Sequence, residues 1–458
     1  MVPSHATDRR RVLRALGGGA LAGLAGCLSG SETADPTLRA PETVLADDPF
    51  GIRVEGLSPG ATVTLRATSL FGGDRYGSFA RFEADESGAL DLREAAPVAG
   101  TYEGTDPMGL VWSLRPAADL PEGAPPGMAK TDTDDGPGLA EDELAVRAVV
   151  DDDQVAGTQV RRRVADPDLT TVTAPEGIVA RCYLPPDDGP APAVLVLHGG
   201  GRGRWMDRPA KQLASHGFAA VALRYVGPQA PIRSRPKRIP LGYVDRAIDW
   251  VTGLDGVADG PVGAMGWSLG GQLALLLGAR RDDVGAVAAY CAMDHVTHFD
   301  RFGTSPWEVD GEPLPSLEID WDDGEVRPVG DSKGYHTRPA FEAAFAAADE
   351  ATLADVRIPV EQTDGPVVAV GGGADAVLPA ADAARRIETT LTEHDHPHRV
   401  EALTYEDTGH ATAIPYRPTT GRAVRGKRAF GGTPAGIARA EADSWPTVLS
   451  VLEDGLQD

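Results

Sequence analysis

Cysteine is scarce, with three residues at 27, 182 and 291 in a chain of 458. That number excludes a disulfide framework, and the wide spacing excludes a metal knuckle. Lysine is scarce as well, confined to positions 130, 211, 237, 333 and 427, so arginine carries nearly all the positive charge. Positive charge is itself in the minority, 43 Lys and Arg against 68 Asp and Glu, for a net charge of -25. Such a chain repels nucleic acid. The acid is dispersed along the chain, which reads as a strongly hydrated, self-repelling surface of a salt-adapted kind rather than a patch for a cationic partner. No apolar run approaches the ~20 residues of a membrane-crossing helix. Cys182 stands in an expected strand at 178–184 and Cys291 in an apolar run at 287–293, and both read as buried small side chains.

What is present begins at the N-terminus. Asp8-Arg9-Arg10-Arg11 precedes a short apolar stretch at 15–25, and Leu24-Ala25-Gly26-Cys27 resembles a lipobox. Together they predict a twin-arginine lipoprotein signal peptide over 1–26, lipid attachment at Cys27 and a tether over 27–41. The expected location is the outer face of the cytoplasmic membrane, held to the membrane surface by that lipid. An unprocessed leader would leave the protein cytoplasmic.

Residues 42–160 show short segments of period-two alternation at 51–55, 61–67, 78–83 and 111–114, which predict a small antiparallel sandwich. Residues 121–143, rich in Asp, Gly and Pro, read as a loop excursion. From 167 to 455 the rhythm changes to continuous apolar strands alternating with helices, the pattern of an α/β domain with a mostly parallel sheet covered on both faces. Strands are expected at 178–184, 194–197, 219–224 and 262–265, and helices at 206–216, 241–254 and 272–278.

The strand at 262–265 runs into Gly266-Trp267-Ser268-Leu269-Gly270 and then an apolar helix. This is the strand-turn-helix setting of a serine nucleophile elbow. A serine hydroxyl needs a base, a carboxylate to orient that base, and donors for the oxyanion. Asp375 follows the buried strand at 367–371, and His410 follows the strand at 399–405, so the order Ser268, Asp375, His410 is that of an α/β hydrolase. Asp407 is the rival carboxylate, too close in sequence to reach the far imidazole nitrogen easily. The oxyanion donors are expected to be the N–H of Leu269 with that of Gly199 or Gly200, from His198-Gly199-Gly200-Gly201. His198 reads as a loop brace. His394, His396 and His398 alternate in a polar loop without the cysteines or ligand spacing of a metal motif, so no metal and no cofactor is expected. Asp294, His295, His298 and Trp307 are candidates to line the cleft, and 300–355 is a lid or a structural insertion.

These residues resemble the acyl-CoA thioesterase and bile acid-CoA:amino acid N-acyltransferase family. The resemblance rests on Gly56-Leu-Ser-Pro59-Gly60, Met108-Gly-Leu-Val-Trp112, the Ser268 elbow, Thr408-Gly-His410 with Pro415-Tyr416, and Gly431-Gly432 followed by Asp443-Ser-Trp445, and covers about residues 40–455. It implies an immunoglobulin-like domain beside an α/β-hydrolase domain, with a triad at Ser268, Asp375 and His410 acting on a small acyl thioester or ester. Serine stands where the acyltransferase branch has cysteine, which favours transfer to water over transfer to an amine. Three readings follow: an acyl thioesterase working through an acyl-enzyme; an extracellular carboxylesterase, peptidase-like hydrolase or N-acyltransferase on the same scaffold; or a surface-anchored binding protein without catalysis.

Overall fold

The computed structural model describes residues 35–456 apart from 72, 122–123, 125–142, 187–188, 201–204, 299–302 and 322–334. The expected signal peptide, Cys27 and most of the tether lie outside the described residues, as does most of the 121–143 excursion. Among the described residues no helix is long and apolar enough to cross a membrane.

The N-terminal strands build two sheets. Thr37–Arg39, Arg53–Glu55 and Leu90–Asp91 form the smaller. The larger orders Thr43–Leu45, Asp153–Arg163, Glu143–Val150, Thr62–Phe71, Asp74–Glu83 and Ala99–Gly100. Alternation does the sorting, since Val63, Leu65 and Ala67 are buried while their neighbours are not. These side chains meet Ile52, Val54, Phe82 and Leu92 in one core. The expected strand at 111–114 is instead a single helical turn, Gly109–Trp112. All four residues of that turn are buried, so a short apolar run could not report its own period. Asp106 turns the chain here: its carboxylate accepts from Met108 N at 2.8 Å and from the Trp112 indole at 2.7 Å.

The second region is an eight-stranded sheet. Its strands are β1 (Thr170–Thr173), β2 (Ala180–Leu184), β3 (Ala193–Leu197), β4 (Ala219–Leu223), β5 (Val262–Trp267), β6 (Val284–Tyr290), β7 (Val367–Gly372) and β8 (Val400–Tyr405). They lie in the order β1-β2-β4-β3-β5-β6-β7-β8, parallel from β4 to β8. Every residue of β3 to β7 is buried, because helices cover both faces. The helices are α1 (Asp207–Ser215), α2 (Leu241–Thr252), α3 (Leu269–Arg280), α4 (Arg338–Ala347), α5 (Glu350–Val356), α6 (Ala380–Glu393) and α7 (Pro434–Leu456). This is an α/β-hydrolase fold preceded by a β-rich domain. From β3 the chain moves outward to β4, then crosses back to β5 on the other side of β3. The order therefore reverses at β3, and the crevice beyond the carboxyl ends of β3 and β5 is where such sheets hold ligands.

The two regions are tied by a buried carboxylate. Asp47 accepts from His216 Nε2 at 2.7 Å and from the Trp445 indole at 3.0 Å. Burial by itself would lower the His216 imidazole, yet Asp47 outweighs it and holds the pKa above the ordinary value. A raised folded pKa means the stability it contributes is complete below about pH 6.5 and is lost as pH rises through the folded value. The thermal midpoint of the wild type should exceed that of His216→Gln most at about pH 6 and least at about pH 9. A gap that widens with pH would contradict this assignment.

Candidate active site

β5 runs directly into Ser268, whose φ of 56° and ψ of -119° lie where few non-glycine residues are found. Such a conformation costs of order 1–3 kcal/mol and persists only where its surroundings enforce it. Here Ser268 N donates to Tyr290 O at 2.7 Å, and Gln272 N donates back to Ser268 O at 3.0 Å. A Cβ on Gly266 would overlap the Gly270 carbonyl, and one on Gly270 would overlap the Leu197 and His198 carbonyl oxygens. Glycine at both positions thus lets α3 pack against the ends of β3 and β5. Leu269 opens α3, so its N–H belongs to the first turn, without an intrahelical acceptor and at the positive end of the helix dipole. Gly199 and Gly200, beyond the end of β3, line the same cavity as Ser268 and Leu269.

Asp375 follows β7 and is 1% exposed. Its Oδ1 accepts from Val377 N at 2.7 Å and Leu378 N at 3.0 Å, while its Oδ2 accepts from His410 Nδ1 at 2.7 Å. Both oxygens are committed, so the carboxylate fixes the ring orientation and leaves Nε2 as the nitrogen available to a reacting proton. His410 N is itself anchored by donation to Phe430 O at 2.7 Å. Asp407 turns its backbone carbonyl to Thr433 N instead. Among the described residues Ser268 Oγ makes no hydrogen bond.

Two further side chains adjoin this set. His198 stacks on Tyr225 with ring centroids 4.1 Å apart and lies 2.6 Å from Gly199 O through Nδ1. Burial pushes its imidazole down to about 4, so near neutrality it is uncharged and braces the loop. Cys291 Sγ lies with the Asp375 and His410 donor atoms inside 4.8 Å of one another. Burial, followed by the charge of Asp375, pushes this thiol well above its usual range. It is therefore a protonated filler behind the imidazole, and both Asp375 oxygens are already engaged.

Of the other candidates, Asp294, His295, His298 and Trp307 are not among the described residues that line the cavity. Asp294 is held by Arg386 Nε and Nη2, at 2.8 and 2.6 Å. Trp307 is fully buried, and its indole donates to Gln272 Oε1 at 2.8 Å. Gln272 in turn donates to His295 O at 2.8 Å and is the residue of this group that reaches the cavity. Adjacency in sequence to the end of β6 suggested Asp294, His295 and His298, whereas Met293 and Thr297 are the residues of that stretch that line the cavity. The polar-loop histidines diverge: His394 faces Thr390 O, His396 faces Gly365 O and His398 faces Asp364. Within 300–355 the described residues provide a three-stranded sheet with Ile239–Pro240 and helices α4 and α5, and Phe341 from α4 forms part of the cavity wall.

The cavity holds about 380 Å³, within the range of small-molecule sites. Met293, Phe341, Val377, Leu378 and Phe430 make its apolar wall. Arg417, Arg422 and Arg428 also line it, and sequence reasoning missed all three. Arg422 is anchored on buried Glu441 at 2.5 Å; removing one partner of such a buried pair costs about 3–5 kcal/mol.

Comparison with known proteins places this geometry in context. The model for the acyl-CoA thioester hydrolase/BAAT N-terminal region matches residues 47–176, and that for the BAAT/acyl-CoA thioester hydrolase C terminal matches residues 239–458. Peroxisomal succinyl-coenzyme A thioesterase of Mus musculus is 26% identical over 426 residues, covering 88% of this chain and 92% of the relative. Acyl-coenzyme A thioesterase 6 of Homo sapiens is 28% identical, covering 90% and 94%. Acyl-coenzyme A amino acid N-acyltransferase 1 of Mus musculus is 25% identical, covering 89% and 94%.

Proposed function

The chain belongs to the acyl-CoA thioester hydrolase/BAAT family, and from that premise we propose that it hydrolyses acyl thioesters through an acyl-enzyme on Ser268. His410 Nε2 takes the hydroxyl proton as Ser268 Oγ attacks the acyl carbonyl carbon. The carbonyl oxygen becomes an oxyanion facing the N–H of Leu269 and that of Gly199 or Gly200. As the tetrahedral intermediate collapses, the carbon–sulfur bond breaks and the thiolate leaves, taking its proton from His410. Water then attacks the ester with His410 again as base, releasing the acid and restoring Ser268.

The observation that carries this reading is the 2.7 Å hydrogen bond between Asp375 and His410, the latter lining the same cavity as the strained Ser268. Acyl-CoA is the proposed substrate class, as in the names of the relatives. Serine at 268 favours water over an amine as the acceptor. The test is kcat/KM on acyl-CoA, on p-nitrophenyl esters and on acyl-CoA with an amino acid acceptor. Thioester hydrolysis should exceed ester hydrolysis more than about tenfold. A tenfold preference for the simple ester would overturn the thioesterase reading in favour of a carboxylesterase, and amide product would favour an acyltransferase.

Export by the twin-arginine route and lipid attachment at Cys27 also stand as proposals, motivated by Arg9-Arg10-Arg11 and Leu24-Ala25-Gly26-Cys27. A membrane-associated N-terminal peptide beginning at a lipid-modified Cys27 supports them, and an intact Met1 leader sinks them.

A further inference from the structure

The charged side chains among the described residues that line the catalytic cavity are arginines, opposite in sign to the protein as a whole. The chain as a whole carries -25, yet residues 408–440 hold six Arg and Lys and no Asp or Glu. Three of those arginines, Arg417, Arg422 and Arg428, line the cavity that contains Ser268 and His410, while no carboxylate is among its described lining residues. Arg422 fixes the loop through Glu441 at 2.5 Å and through donation to Pro418 O at 2.8 Å. Arg428 donates to Thr337 Oγ1 at 3.3 Å and lies 6.0 Å from the centre of the Phe430 ring, which orients its guanidinium. A neutral acyl chain would be served by the apolar wall alone. Guanidinium groups lining the same cavity as Ser268 and His410 are the groups that bind carboxylate or phosphate oxygens in a fixed, forked geometry.

We propose that Arg417 and Arg428, on a loop that Arg422 holds through Glu441, bind an anionic group of the substrate while its acyl carbonyl sits at Ser268. This rests on the hydrolase reading and adds to it a substrate class. Two parts of a thioester can supply the anion: a carboxylate at the far end of the acyl group, or the phosphates of a coenzyme A leaving group. The dimensions favour the carboxylate. The cavity of about 380 Å³ that these arginines share with Ser268 is of small-molecule size. The pantetheine arm that separates sulfur from phosphate is, extended, about as long as four or five residues of strand, roughly 15 Å.

The test uses the full-length protein and four thioesters: butyryl and 4-carboxybutyryl, each carried on coenzyme A and on N-acetylcysteamine, which has no phosphate. With Arg417→Gln and Arg428→Gln, kcat/KM should fall about 10- to 100-fold more for carboxybutyryl than for butyryl on both carriers. Arg428→Lys should recover part of that loss. A loss that follows coenzyme A, whichever acyl group it carries, also supports the anion site and assigns it to phosphate. Equal losses on all four thioesters, or no loss, overturn the proposal. Should the wild type hydrolyse none of the four, the hydrolase reading fails by itself. The site is then read from the thermal midpoint in the presence of glutarate or pyrophosphate. A rise in the wild type that is lost in Arg428→Gln supports the site, and no rise in the wild type overturns it.

Discussion

Ser268→Ala should lower kcat for thioester hydrolysis by roughly 10³-fold or more while leaving the fold in place. The size follows from the chemistry, since without the Oγ no acyl-enzyme forms, and only binding and the oxyanion donors remain to assist direct attack by water. The folded state loses little, because Ser268 holds its position through backbone bonds, Ser268 N to Tyr290 O and Gln272 N to Ser268 O, which alanine keeps. Alanine at a φ of 56° carries the same backbone strain as serine or slightly more. Thermal midpoint and kcat together separate the two effects. Near-wild-type kcat in a folded Ser268→Ala protein would rule out the mechanism.

Asp375→Asn should cost on the order of 10³- to 10⁴-fold in kcat, also without unfolding. The asparagine Oδ1 can still accept from Val377 N and Leu378 N, as the carboxylate does at 2.7 and 3.0 Å. What changes is the face toward His410. An amide NH2 there donates to Nδ1, moves the imidazole proton to Nε2, and leaves the nitrogen nearest the nucleophile unable to accept the serine proton. Asp407→Asn is the comparison, because Asp407 engages Thr433 through its backbone. Its kcat should stay within about threefold of wild type. A larger loss for Asp407→Asn than for Asp375→Asn would reverse the assignment of the orienting carboxylate.

Local pattern made the frame legible. Continuous apolar runs marked β3, β4, β5 and β7, and two glycines bracketing Ser268 marked the turn, because only glycine fits where α3 meets the strand ends. Chain order singled out Asp375 and His410, and His410 Nδ1 lies 2.7 Å from Asp375 Oδ2. Residues 109–112 were not legible, because four buried residues in succession carry no period. Nor was the identity of the cavity wall. Asp294 and His295 look reactive by type, yet they are absorbed by Arg386 and by packing. The arginines that do reach the cavity lie on a loop with neither helical nor strand rhythm. Their one signal was six basic residues without an acid in a chain of net charge -25, a pattern of charge rather than of hydrophobicity.

The central claim is that Ser268 is the nucleophile, and stoichiometric labelling with a fluorophosphonate followed by peptide mass spectrometry tests it most directly. A single adduct on the peptide containing Ser268, absent from Ser268→Ala and slowed in Asp375→Asn, is the expected result. Labelling of Ser268→Ala equal to that of the wild type, or an adduct on any other residue, would contradict it.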